Sequence, residues 1–281
     1  MARRRRRPWW VAIVLVLLLA LGAGAAVVYY TATKQPGPWA ERCSALVLGD
    51  SAEIDLEQSR NASIISGVAA RRGLPPRAVT IALATAFQES GIRNLSYGDR
   101  DSIGIFQQRP SQAWGTRAQI MDPYYASRAF YAALAQVNNW QNADVGDVAQ
   151  KVQRSGYPDA YDKHVAKSKL LASSLSGETP ASFSCVVRGL PAGNPGGLVT
   201  FFGQTLPTSD EVSRSGTTVT VRTASTKNAW QAASIAVANA KTYGVRSVSV
   251  GDRTWQPSAT IMPRWSGTSA TTASTVVIEL A

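Results

Sequence analysis

Residues 84–108 read ATAFQESGIRNLSYGDRDSIGIFQQ. Upstream, Pro75-Pro76 opens a pattern with Val79, Leu83, Ala86 and Phe87 on one face, and Gly91 closes it, so the spacing predicts a helix over Arg77 to Ser90. Glu89 then falls in its last turn. That end of a helix carries partial negative charge, which disfavours another anion, and Ala86 and Phe87 add a desolvation cost. Both effects raise a carboxyl pKa, as a general acid working near neutral pH requires. An isolated glutamate in this position reads as an ordinary helix end. Its company marks it out: the loop with Tyr97, Asp99 and Asp101, then Gly104 to Gln107 (GIFQ), then Arg109 to Trp114 (RPSQAW).

Around this stretch, about Ser59 to Leu175 reads as helical. Asn61 to Arg72 is amphipathic up to Gly73, and Asp122-Pro123 starts a helix carrying Tyr125, Ala129, Ala132, Ala133 and Val137. Residues 177–197 are rich in Gly, Pro and Ser and read as a linker. Beyond it come a strand at Thr217 to Thr223, an Ala-rich helix at Lys227 to Tyr243, and strands at Val245 to Val250 and Thr275 to Leu280. The expected division is a stalk over 31–58, a helical domain over 59–176, the linker over 177–197 and a small α+β domain over 198–281.

At the N-terminus, Trp9 to Tyr30 forms an uncharged apolar run bracketed by Trp9-Trp10 and Tyr29-Tyr30, the length and edges of a membrane-spanning helix. Arg3 to Arg7 precede it, so the positive-inside rule keeps residues 1–8 cytoplasmic and places the rest of the chain across the membrane. A cleaved signal peptide ending in the small residues 22–26 is the alternative. The net charge of +11 over 281 residues divides accordingly, with +6 in the first forty residues and +5 in the remainder. The basic balance is therefore not the footprint of nucleic-acid binding. Cys43 and Cys185, the only cysteines, are too far apart in sequence for a metal or redox pair. Outside the cytoplasm they read as a structural disulfide. His164 is the only histidine, which argues against a His-rich zinc site and against Ser-His-Asp chemistry, and it reads as a helix-surface residue. No metal or cofactor is expected.

Glu89-Ser90-Gly91, Gly104 to Gln107 and Pro110 together resemble the lysozyme-like superfamily, particularly lytic transglycosylases, over roughly residues 60–175. Residues 152–161 (VQRSGYPDAY) stand where that family has its Asn-Ala-Gly and Tyr motif. Gly156 and Tyr161 match it, while the Asn is missing, with Arg154 or Ser155 near its place. The combination of anchor, such a domain and an appendage resembles membrane-anchored wall proteins of actinobacteria. The resemblance implies a fold with a single transmembrane helix at 9–30, then a mainly α, lysozyme-like domain, then the small α+β domain. It also implies cleavage of the β-1,4 bond between N-acetylmuramic acid and N-acetylglucosamine in peptidoglycan strands, with Glu89 as proton donor. Gln107 and Tyr161 are the expected substrate-positioning groups, and Trp114 and Tyr97 read as sugar platforms or as core aromatics. Asp99 and Asp101 read first as solvated loop acids and second as the extra carboxylate of a hydrolase.

Ala229 to Trp255 resembles zinc D,D-carboxypeptidase-like domains, but no histidine follows His164 to hold the metal. That domain is assigned no catalysis. Its Trp230, Trp255 and Trp265, with Arg253, read as its core or as a polymer-binding surface. The rival to a wall-cleaving enzyme is a non-catalytic wall-binding or scaffolding protein, and oligomeric state is left open.

Overall fold

The computed structural model describes residues 40–154, 159–267 and 273–281, together with four isolated positions among residues 16–24. Glu41–Ala281 form one compact unit.

The unit begins with a hairpin, β1 (Arg42–Val47) and β2 (Asp50–Ile54). The free side of β1 pairs antiparallel with β3 (Phe183–Val186), giving a three-stranded sheet in the order β2-β1-β3. Cys43 and Cys185 are direct partners across β1 and β3, and their sulfurs form the disulfide. Residues expected as stalk and as linker thus build a sheet together. The short β1–β2 hairpin is marginal alone, and it gains its third strand only from a segment far away in the chain.

Helix α1 (Leu56–Arg71) starts at Asp55, whose side chain accepts from the Gln58 backbone while Gln58 reaches back, a reciprocal cap. Helix α2 spans Pro76–Ser90 and ends at Gly91 in the left-handed conformation (φ 65°). Short helix α3 (Arg117–Ile120) follows, then α4 (Pro123–Leu134), α5 (Val145–Gln153) and α6 (Val165–Leu175). After β3 come α7 (Pro195–Thr205), β4 (Glu211–Ser215), β5 (Thr218–Arg222), α8 (Thr226–Ala238), α9 (Ala240–Tyr243), β6 (Val245–Val250), β7 (Arg253–Trp255) and β8 (Thr275–Leu280). Strands β4-β5-β8-β6-β7 form a second, wholly antiparallel sheet in that order.

The expected boundary between a helical domain and an α+β appendage is absent from this fold. In α8 every residue from Ala229 to Ala238 is buried. A helix apolar all round needs cover on all sides. It packs on β3, β6 and β8 and also on α1 and α6. The polar groups at this junction pair across it: Asn239 Nδ2 donates to Ser63 Oγ at 2.8 Å, and Ser59 Oγ donates to the Ala238 carbonyl at 3.3 Å. One core runs from Cys43 to Leu280 and takes in Trp230, Trp255 and Trp265, all buried and so not a polymer-binding surface.

The fold is mixed α/β, which corrects the expectation of a transmembrane helix, a mainly α lysozyme-like domain and a small α+β domain. Among the described residues no helix is long and apolar enough to cross a membrane. The run from Trp9 to Tyr30, apart from the isolated positions, lies outside the described residues.

Candidate active site

Helix α2 carries Glu89 in its last turn, two residues before the chain reverses at Gly91. Residues 91–116 then fold into an irregular ribbon held by two isolated antiparallel bridges, Leu95 with Gly104 and Ile103 with Gln108. Gly104 has φ 80°, and a Cβ there would lie 2.9 Å from the Ile120 carbonyl, so a side chain would push the ribbon off α3. Ser90 ties this ribbon to the acid-bearing turn. Its hydroxyl donates to the Ile105 carbonyl at 2.6 Å, and the Arg93 backbone N–H donates back to it at 3.1 Å. The Glu-Ser pair and the Gly-Ile-Phe-Gln segment, fifteen residues apart, are therefore locked together by one side chain.

Between the ribbon and the end of α5 lies an open groove of about 690 Å³. Glu89, Asp99, Gln107 and Trp114 line it, together with Arg100, Arg109, Gln153 and Arg154. The volume lies within the usual range for small-molecule sites. Three of these residues, Arg100 (φ 55°), Gln107 (φ 47°) and Arg154 (φ 53°), hold left-handed backbone without being glycine. Each such residue costs on the order of 1–3 kcal/mol, and such strain gathers at functional sites.

Glu89 is half-buried. Burial raises its pKa, and hydrogen bonds from Tyr161 and Gln153 partly offset the rise. The Tyr161 hydroxyl donates to Oε1 at 2.7 Å. Tyr161 is fully buried and is not part of the groove lining, so it holds the acid from behind and does not face a ligand. Gln153, which ends α5, donates through Nε2 to the Phe106 carbonyl at 2.7 Å as well as acting on Glu89. No ion pair engages Glu89 among the described residues.

The other expected site residues divide. Gln107 lines the groove, and its Nε2 donates to the carbonyls of Gly104 (3.2 Å) and Tyr97 (3.3 Å), while its amide oxygen packs against Gly98 in the space a Cβ there would fill. Trp114 is half-buried, with one part against the core and another in the groove. Tyr97 is exposed and lies outside the lining. Asp99 lines the groove and is open to solvent, with the Arg100 guanidinium 3.9 Å away.

Asp101 is committed elsewhere. Its carboxylate accepts from Arg109 Nε at 2.7 Å and from the Ser111 backbone N–H and hydroxyl at 2.8 and 2.9 Å. The Arg109 and Ser111 bonds hold its pKa far below the usual carboxylate range. It organises the ribbon.

His164 is half-buried, stacked on the Phe87 ring with centroids 5.6 Å apart, and burial followed by Lys163 and Lys167 lowers its pKa. Ser155 and Gly156 lie outside the described residues. Among the described residues no cluster of three or more His, Cys, Asp or Glu is placed to hold a metal.

Sequence reasoning passed over Gln153, Arg100, Arg109 and the tethering role of Ser90. Gln153 alone left a signal, a polar residue beside buried Val152 at the end of an amphipathic helix. No protein-family model matches the chain, and no curated protein matches it.

Proposed function

We propose that the chain is a peptidoglycan-cleaving glycosidase of the lytic-transglycosylase kind, with Glu89 as its acid. One observation carries this reading: Glu89 lies in the wall of an open groove, half-buried, its pKa raised by burial, with no cation paired to it among the described residues.

The chemistry follows from that state. Protonated Glu89 gives its proton to the glycosidic oxygen between N-acetylmuramic acid and N-acetylglucosamine, and the C1–O bond breaks to leave an oxocarbenium-like centre. The resulting carboxylate takes the proton of the same sugar's 6-hydroxyl as that oxygen attacks C1. A 1,6-anhydro ring forms and the acid is restored. No cofactor is needed. The route uses a single carboxyl group, which suits a site where Asp101 is already bound and Asp99 stands open to solvent. A hydrolase would draw on Asp99. Tyr161 and Gln153 orient the acid, while Gln107 and Trp114 supply a polar and a flat surface for the sugar rings. The Cys43–Cys185 disulfide supports a working place outside the cytoplasm.

The test is digestion of purified sacculi by the full chain, with soluble products read by mass spectrometry. Anhydro-muropeptides are the expected products. Reducing-end muropeptides would turn the reading to hydrolysis through Asp99, and binding to sacculi without release would turn it to a non-catalytic wall-binding protein.

A further inference from the structure

Three guanidinium groups, those of Arg100, Arg109 and Arg154, line the groove, against the carboxyl groups of Glu89 and Asp99. With Glu89 protonated the groove is net cationic. Arg109 is the best fixed of the three: only its Nε is engaged, by Asp101, and Asp101 is itself held by Ser111. Its terminal NH2 groups have no partner among the described residues, and neither has the exposed guanidinium of Arg154 just beyond α5. The groups acting on Glu89 are Tyr161 and Gln153, so these positive charges are not used to tune the acid.

A neutral polysaccharide gives such donors no charged partner, and covering them costs desolvation free energy. A carboxylate accepts from a guanidinium through paired, charge-assisted bonds. We infer that Arg109 and Arg154 form a carboxylate-reading subsite that makes the groove select an anionic glycan over an uncharged N-acetylhexosamine polymer. The inference rests on the glycosidase reading of the groove. The carboxylate has two sources of identical chemistry, the lactyl group of N-acetylmuramic acid and the stem peptide attached to it.

The test measures binding to the full chain carrying Glu89→Gln, so that no ligand is consumed. Three probes are compared: uncharged chitotetraose, the peptide-free tetrasaccharide of alternating N-acetylglucosamine and N-acetylmuramic acid, and that tetrasaccharide with its stem peptides. An anionic probe is expected to bind about tenfold more tightly than chitotetraose, with the preference shrinking as salt is raised. Preference for the peptide-free anion identifies the lactyl carboxylate, and preference for the peptide-bearing probe alone identifies the peptide. Arg154→Gln, at an exposed guanidinium with no partner among the described residues, is expected to remove most of the preference, and Arg109→Lys to weaken it. Equal affinity for all three probes, or a preference that persists in both arginine variants, overturns the subsite alone. Binding of none of the probes overturns the glycan reading of the groove and the subsite with it.

Discussion

The Tyr161 hydroxyl donates to Oε1 of Glu89 across 2.7 Å, from a ring that is itself buried. Burial raises the Glu89 pKa and this bond lowers it, so the acid is set between two opposing effects. In Tyr161→Phe the lowering bond is gone and the Glu89 pKa rises further. A general acid acts below its pKa, so the alkaline limb of the kcat/KM profile moves to higher pH, while loss of orientation lowers kcat by about 10- to 100-fold. A pH–rate series on both proteins reads the two effects separately. An unmoved limb contradicts the assignment.

Glu89 also sets a pH dependence of stability. Its folded pKa lies above its ordinary value of 4.5, so the folded chain binds this proton more tightly than the unfolded chain. That contribution is complete below pH 4.5 and is lost as pH rises through the folded pKa. Glu89→Gln is therefore more stable than wild type to urea near neutral pH, and the advantage fades on acidification below the ordinary value. An equal gap at both pH values contradicts the raised pKa.

Asp101 is a positioning residue in this arrangement. Asp101→Asn loses the charge that holds Arg109, which loosens the ribbon and raises KM, with kcat within about tenfold of wild type. A catalytic carboxylate contributes about 10²- to 10⁴-fold, so a collapse of kcat on that scale would make Asp101 the second carboxylate instead. Steady-state kinetics on soluble glycan fragments separates the two.

The disulfide closes a loop spanning 142 residues and joins β1 to β3. Replacing Cys43 and Cys185 together by alanine is expected to cost about 4–5 kcal/mol in a chain-entropy description. Because the sheet it pins belongs to the single core, the loss appears as one cooperative urea transition at a lower midpoint. Two separate transitions would mean that the halves fold independently.

Part of this was legible in the sequence. The helix expected over Arg77 to Ser90 spans Pro76–Ser90, and the strands expected at Val245 to Val250 and Thr275 to Leu280 have those bounds, because apolar periodicity and flanking Pro or Gly report local structure. Strands β1 and β3 were not legible. Each reads locally as stalk or linker; β3 is a strand only through its pairing with β1 more than a hundred residues away, and β1 through that pairing and its hairpin with β2. The unity of the fold was hidden likewise, since nothing in Lys227 to Tyr243 says that α1 and α6 cover its outer face. Within the site, Glu89, Gln107 and Trp114 share a groove. Spacing alone could not show that Tyr161 stands behind the acid or that Arg109 and Ser111 engage Asp101.

The most direct test of Glu89 as the acid compares wild type with Glu89→Gln on purified sacculi, with soluble anhydro-muropeptides quantified by mass spectrometry. Loss of the proton donor is expected to reduce release by at least about 10²-fold while the variant stays folded and still binds sacculi. Equal release by the two proteins would contradict the role given to Glu89.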